Sequence, residues 1–321
     1  MPQPHQAEPT EHATDHAVDH GAEHGEGGFD AGEVIIGHVT NSSPDHPILH
    51  LPAVFGIDFS ISKHVFMLLL VATAVFLLIT TTVRRYLQQE RLVPDGFMNA
   101  LEFIVEFIRD SIVLPNVGAK YVRTWAPLIL TFFCFILSAN VIGLIPIFEV
   151  LGLIDHTVLH TGEHSLVKNI VHGGTTATAN FNVTAALATI TFFAIIIAGT
   201  LAHGFIQHWK NLVPHGLAWP VYILLIPIEI MGMFVKPFAL TMRLAANMTG
   251  GHIAIFAILS FVFLFAQAFG SNLAGIGVGL FVSVPLAVGI NGLEIIVVLV
   301  QAYVFTLLSA VFIGMAINVH H

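Results

Sequence analysis

The chain has 321 residues, of which 10% are charged and 55% belong to the hydrophobic class. A soluble domain carries about 25% charged residues, so this chain has too few to cover the surface of a soluble protein of its length. Its only cysteine, Cys134, excludes an internal disulfide and a cysteine-based zinc site. The net charge of −9 would disfavour nucleic acid as a partner, but the charge is unevenly placed along the chain, so the average is misleading. These values predict an integral membrane protein.

The N-terminal segment differs in composition from the rest of the chain. Residues 1–62 contain no Lys or Arg but ten acidic residues, and eight histidines precede residue 51. This segment has little apolar surface to bury, so residues 1–47 are predicted to form a disordered acidic tail. Residues 48–321 then form the membrane domain.

Four histidines of this tail recur at every fourth position, and each follows an acidic residue. On a transient helix they would form one stripe that could hold zinc or copper. A solvated, weakly pH-responsive tail with incidental metal affinity explains the same pattern, and we favour this interpretation. The four residues are His12, His16, His20 and His24.

The first predicted membrane span is the uncharged apolar run Val65–Val83, which is long enough to cross a bilayer. The segment that follows, Arg84–Arg123, holds six of the eleven basic residues. Basic residues concentrate on the cytoplasmic side of membrane proteins, so this segment is expected inside the cell and the tail outside.

Within this segment, an amphipathic helix is predicted from Asp95, a candidate N-cap, to about Ile112. Glu102, Glu106 and Asp110 share one face, and apolar side chains share the other. Such a helix lies on the membrane surface or packs against partner helices. The acidic face does not suit anionic lipid, so packing against partner helices is favoured.

Two further spans are predicted before residue 210. Ala126–Phe148 is uncharged and contains Asn140. The next span runs from about Val183 to Phe205, with Asn182 or Thr184 as its N-cap. Both runs have the length that a spanning helix needs.

The last 111 residues, Asn211–His321, are almost uncharged. The break at Gly270-Ser271-Asn272 predicts two helices, Val221–Phe269 and Val278–Ile317. Each is about twice the ~20 residues that cross a bilayer, so each either splits or lies strongly tilted. Only four side chains of this region are formally charged: Glu229, Lys236, Arg243 and Glu294.

Three of these charges form a stripe on one helix. Glu229, Lys236 and Arg243 are spaced by seven residues, nearly two turns, so they share a face that Asn247 extends. A charge at mid-depth costs at least ~2.5–3.5 kcal/mol, which makes these residues functional candidates. The alternative is a self-satisfied Glu229–Lys236 pair and a snorkelling Arg243. The apolar flanks of Arg243 argue against that alternative.

A second polar group predicts proton transfer. His252 lies nine residues after Arg243, on the opposite side of the helix. Asn291, Glu294 and Gln301 share a face of the last helix. Glu294 needs a partner, and His252 is the only nearby titratable candidate in this region besides the stripe. A histidine and a carboxylate that face each other across two helices pass protons near neutral pH, although a buried structural pair has the same pattern.

Three segments together resemble one family. The first is KPFALTMRLAANM at Lys236–Met248, followed by Gly250-Gly251-His252. The second is NVIGLIP at Asn140–Pro146, and the third is Glu294–Phe305, which ends in QAYVF. All three are similar to signatures of subunit a of rotary F-type ATP synthases. The similarity covers roughly residues 48–319.

This resemblance implies an all-α integral membrane fold. It has spanning helices, a surface helix and two long, strongly tilted helices packed against a ring of c subunits. The implied partners are the c-ring, the peripheral stalk subunit b, the rest of the F1Fo complex and membrane lipid. The implied role is that of a non-catalytic subunit without a cofactor. The tail suggests a bacterial inner membrane.

The resemblance also implies roles for individual residues. Arg243 faces the ring carboxylate, and two offset aqueous half-channels carry protons to and from the ring. The positions that match the lining of the half-channels, or lie near it, are Glu229, Asn247, His252, Glu294, Gln301 and Asn140, and Lys236 completes the proton-translocation set.

Two positions depart from the family pattern. Some bacterial members carry an acid at the position of Gly143, so that carboxylate is not part of this channel. Many bacterial members hold the reverse of the pair His252 and Glu294, with the acid first. The exchange is expected if proximity matters more than which helix supplies each group.

Two other classes of protein remain as alternatives. A secondary transporter or ion antiporter could use the same intramembrane Arg, Lys and Glu, although the chain shows no inverted repeat of broken helices. A purely structural membrane scaffold leaves Arg243 unexplained.

Overall fold

A computed structural model describes residues 63–88, 93, 95–144, 177–211 and 219–318. Every regular element in these ranges is helical. The acidic tail and its four histidines, His12, His16, His20 and His24, lie outside the described residues.

The helices follow one another in the order that the apolar runs predict. The first half contains α1 (Lys63–Gln88), α2 (Phe97–Glu106), a π-helical segment (Phe107–Val113), α3 (Leu114–Val117) and α4 (Val122–Leu144). The second half contains a 3-10 turn (Ala177–Ala179), α5 (Phe181–His203), α6 (Phe205–Lys210), α7 (Trp219–Ala268), α8 (Asn272–Val278), a π-helical segment (Gly279–Ser283) and α9 (Val284–Ile317).

Five helical stretches of the described residues are long and apolar enough to cross a membrane. Two are overlong, at 50 residues for Trp219–Ala268 and 43 residues for Gly275–Ile317. A helix of the former length measures about 75 Å, whereas the hydrocarbon core of a bilayer is about 30 Å thick. Because α7 continues through Pro227 and Pro237, it does not split into two spanning helices, and its length is consistent with the predicted tilt.

The core lies where α4, α5, α7 and α9 meet. Leu240 and Leu244 of α7 are fully buried there, as is Phe305 of α9. The ring of Phe305 meets the ring of Phe132 edge to face, with 5.5 Å between the ring centroids. The packing of α4, α5 and α9 fixes the position of α7, the helix that carries the stripe of charges.

The predicted amphipathic helix is confirmed. Ile108 and Ile112 are buried in the same core as the spanning helices. Glu102, Glu106 and Asp110 are exposed. The π-helical segment therefore packs its apolar side chains against the spanning helices of this chain, whereas α2 has no buried residue.

Two predicted helix caps are wrong. Gly96, not Asp95, precedes α2, and it has a positive φ of 59° and no side-chain cap. Asn180 caps α5 by accepting a hydrogen bond from the backbone N–H of Asn182 at 2.8 Å. The apolar run from residue 183 predicts a cap at Asn182 or Thr184, but Phe181 already belongs to the helix.

Polar contacts tie the end of α9 to α5 and α3. The Nε2–H group of His203 donates to the Ile317 carbonyl at 2.8 Å. The Asn318 side chain donates to the Asn116 carbonyl at 3.0 Å. Gly314 lies against the same Asn116 carbonyl, so closely that a Cβ at residue 314 would overlap the oxygen. This contact fixes the end of α9 against α3.

Candidate functional site

The candidate site is the seam between α7 and α9. These helices are antiparallel, so increasing residue numbers along α7 meet decreasing residue numbers along α9. Three contacts follow this order: Lys236 with Phe312, Asn247 with Gln301, and Gly251 with Glu294. The seam therefore places residues from both halves of the predicted site beside one another.

Asn247 and Gln301 form a direct polar link across the seam. The Asn247 Nδ2 group donates to Gln301 Oε1 at 2.9 Å. Gln301 is buried, and its Nε2 group has no hydrogen-bond partner among the described residues. The pair thus joins two predicted site residues that are 54 positions apart.

Glu294 lies buried against the backbone of α7. Its side chain packs on Gly251, where a Cβ would overlap the carboxylate. Only 4% of the residue is exposed, and neither carboxylate oxygen has a hydrogen-bond partner among the described residues. Gly251 immediately precedes His252, so the structure brings the carboxylate to the turn that carries the histidine. Side-chain contact within this pair stays a prediction.

Arg243 points away from the core of the chain. The residue is exposed, whereas Leu240 and Leu244 on the other face of α7 are buried. Within the described residues, the guanidinium meets no carboxylate and no hydrogen-bond acceptor. A charged group on an apolar helix therefore faces outward without a partner from the described part of the chain.

Glu229 and Lys236 do not form an ion pair in the described structure. Both residues are half-buried. The Lys236 ammonium instead lies 5.7 Å from the centroid of the Phe312 ring, at the outer limit of a cation–π contact. The self-satisfied Glu–Lys pair therefore does not explain these charges.

Asn140 lies in the last turns of α4, near its C-terminal end. It is fully buried and accepts a hydrogen bond from the Thr178 hydroxyl, while its Nδ2 group has no partner among the described residues. The neighbouring Ala179 carbonyl accepts from the Thr249 hydroxyl of α7 at 3.5 Å. Asn140 is thus connected through the 3-10 turn to the part of α7 just before Gly251.

Four buried side chains in the spanning helices carry polar atoms without partners among the described residues. Buried polar atoms are nearly always paired in folded proteins, so these exceptions are candidate positions for bound water or for a polar group of another subunit. Three of the four were predicted from sequence and one was not. They are Asn140, Glu294, Gln301 and, unpredicted, Ser283.

The sequence interpretation missed or misplaced three other residues. Asn291 is exposed, unlike Glu294 and Gln301, with which it was grouped. His208, interpreted only as part of an interfacial signature, is buried against Gly199. Burial there lowers the pKa of its imidazole. Ser283 lies in an apolar run, and only the proline two residues later distinguishes its surroundings.

The sequence was also compared with known protein families and individual proteins. The sequence profile of the family described as ATP synthase A chain matches residues 65–314, which include all eight predicted site residues of the membrane domain. The chain belongs to this family. It is 40% identical over 300 residues to "ATP synthase subunit a 2" of Prosthecochloris aestuarii, covering 91% of this chain and 81% of the relative.

Two further relatives extend the comparison. The chain is 39% identical to "ATP synthase subunit a 2" of Chlorobium luteolum, covering 89% of this chain and 76% of the relative. It is 36% identical to "ATP synthase subunit a" of an Anaeromyxobacter species, covering 84% of this chain and 57% of the relative. The resemblance drawn from the three sequence segments is therefore confirmed.

Family membership decides between the alternatives left by the sequence. Members of this family are the proton-translocating component of the Fo sector within the F1Fo complex. Together with five apolar helices of spanning length, this makes the chain an integral membrane subunit of an ATP synthase. The secondary transporter and the structural scaffold are therefore not retained.

Proposed function

We propose that this chain is the stator against which a c-ring turns, and that Arg243 is the fixed charge facing the ring carboxylates. The observation that carries this proposal is the exposed guanidinium, which has no partner among the described residues. A guanidinium keeps its charge because its pKa exceeds about 12. In an apolar surrounding it needs an anion, and a carboxylate on another subunit supplies one.

The charge of Arg243 controls the protonation of the ring. Ring carboxylates cross lipid in the neutral form, because an ionised carboxylate is too costly there. Beside a fixed cation and water the same group ionises, because the cation lowers its pKa. The proton leaves the ring only where Arg243 stands, and the ionised carboxylate has to be protonated again before it re-enters lipid.

Two half-channels on opposite sides of Arg243 supply and remove the proton. Glu229 and Lys236 precede Arg243 along α7 and serve one of them. The residues that follow Arg243, or face that part of α7, serve the other, and the unpaired polar atoms of Asn140, Glu294 and Gln301 support a hydrated path. This second group comprises Asn247, His252, Glu294, Gln301 and Asn140.

Proton flow between the half-channels drives rotation. Each charge that crosses contributes about 2.3 kcal/mol per 100 mV of membrane potential. The ring passes this work to the soluble part of the complex, where ATP is made, so this chain performs no covalent chemistry. Subunit b holds the chain in place, and the complex lies in a bacterial inner membrane.

The proposed orientation places the tail outside and Arg84–Arg123 inside. A cysteine that replaces Ala17 should react with a membrane-impermeant thiol reagent added to the outer face, and one at Gln88 only with reagent added to the inner face. Both are tested in a Cys134→Ala background in sealed vesicles of known orientation. Labelling of both from the same side contradicts the orientation.

The proposed pairing of His252 with Glu294 predicts that the two side chains depend on each other. Replacing either residue with alanine should reduce proton flow by about 10²-fold, the usual contribution of a proton-transfer group. The double variant His252→Glu with Glu294→His restores a pair and should recover part of this loss. Proton flow is measured in vesicles that hold the assembled complex. Losses that simply add in the double variant contradict the pairing.

A further inference from the structure

Ser283 is an exception among the buried hydroxyl groups of the described residues. It is fully buried, and its Oγ atom has no hydrogen-bond partner there. All other buried serines and threonines have one. These are Thr178, Thr184, Thr191, Thr241, Ser260, Thr306 and Ser309.

The backbone around Ser283 is also irregular. A helical serine usually donates to the carbonyl four residues earlier, as Ser260 does to Phe256 at 2.8 Å. Ser283 instead ends a π-helical segment, in which the Val284 amide donates to the Gly279 carbonyl. Pro285 has no N–H group, so a carbonyl of the preceding turn also lacks its backbone donor. The segment thus combines an unpaired hydroxyl with a freed carbonyl.

The position of Ser283 relates it to Glu294. The two residues are eleven positions apart, about three turns, so they lie on the same face of the last helix. Gly279 on this face packs against Val262 of α7, where a Cβ would lie 3.1 Å from the valine side chain. Glu294 packs against Gly251 of the same helix. Ser283 therefore lies along the seam, between these two contacts and nearer to the α7–α8 turn.

We propose that Ser283 is a water-binding step on the proton path to Glu294, at the end of the path nearer to the α7–α8 turn. This inference rests on the proposed function and adds a residue to it. The hydroxyl and the freed carbonyl together bind water in this part of the seam. Three helical turns measure about 16 Å, so the proposed path requires several water molecules between Ser283 and Glu294.

A hydroxyl suits this step because it donates and accepts at the same time. When a water on one side passes a proton to the Oγ atom, the Oγ–H proton moves to the water on the other side. The serine ends unchanged, and the excess proton has moved one step towards Glu294. Alanine has a similar volume but can take neither role.

The test compares Ser283→Ala with Ser309→Ala in the assembled complex. Ser309 is an equally buried serine of α9, and its hydroxyl pairs with that of Thr191. The Thr191 hydroxyl also donates to the Leu187 carbonyl at 3.2 Å, so it keeps a partner when Ser309 is replaced. We expect passive proton conduction to fall about threefold to tenfold in Ser283→Ala, the range for losing one hydrogen-bonding group. Ser309→Ala should conduct like the unsubstituted complex. Equal conduction by the two variants overturns the proposal.

A second measurement decides the matter if Ser283→Ala does not assemble. In a Cys134→Ala background, Ser283→Cys should react with silver ions from the aqueous phase and lose conduction, and Ser309→Cys should not. Absence of inhibition in Ser283→Cys overturns the proposal.

If Arg243→Gln abolishes ATP synthesis while Ser283→Ala conducts normally, this inference alone fails. If Arg243→Gln leaves synthesis intact, the proposed function fails.

Discussion

Replacing Arg243 with glutamine is expected to abolish both ATP synthesis and ATP-driven proton pumping in an otherwise assembled complex. Glutamine keeps much of the side-chain length but removes the charge. Without a cation beside it, a ring carboxylate stays protonated in the apolar surrounding, so it does not release its proton. Both activities are measured in vesicles that contain equal amounts of the complex.

The same variant should continue to leak protons passively, or should leak faster. Arg243 lies between the two half-channels and repels protons that would pass directly from one to the other. Removing the charge removes this barrier, so leak and synthesis should move in opposite directions. Arg243→Lys should rescue poorly, because the pKa of a lysine falls readily on burial and its reach differs.

A charge-matched control separates this effect from a general loss of positive charge. Arg84 lies at the end of α1 and is far in sequence from the predicted site. Arg84→Gln should leave synthesis close to that of the unsubstituted complex. Near-normal synthesis by Arg243→Gln would mean that the fixed charge is not required for coupling.

Replacing Gly314 with alanine is expected to cause the largest structural loss. A Cβ at this position would overlap the backbone carbonyl of Asn116, which cannot swing away as a flexible side chain can. α9 must shift, and the hydrogen bond from Asn318 to the same carbonyl is lost with it. Overpacking of this kind costs about 1–3 kcal/mol or more, so the amount of assembled complex and its thermal stability should fall.

Gly277→Ala is the matched control for this substitution. Gly277 is also helical, but a Cβ there would meet no atom within 4 Å in the described structure. Assembly and melting temperature of the detergent-solubilised complex are compared for the two variants. A Gly314→Ala complex that assembles and melts like Gly277→Ala contradicts the close contact between α9 and α3.

Much of this architecture could be predicted from the sequence because it depends on the length and periodicity of apolar runs. The low charge content predicted a membrane protein, and the long run after Trp219 predicted the long helix α7. The stripe of Arg243 and Asn247 followed from spacing alone, since residues four apart share a helix face. Such features depend only on local sequence.

Features that depend on contacts between distant helices could not be predicted in this way. The link between Asn247 and Gln301 requires the register of α7 against α9, which periodicity does not specify. The burial of His208 depends on the absence of a side chain at Gly199. Ser283 could not be predicted, because only the packing of the helices shows that its hydroxyl is buried and unpaired.

The most direct test of the account is a structure of the assembled complex in a membrane, which gives the distance from the Arg243 guanidinium to the nearest carboxylate of another subunit. The proposed function predicts a c-ring carboxylate within about 4–6 Å, the range in which a charge changes the pKa of its neighbour. A structure in which Arg243 faces lipid, or pairs with a group that is not on the ring, would contradict the claim that this arginine is the fixed charge of the rotor–stator contact.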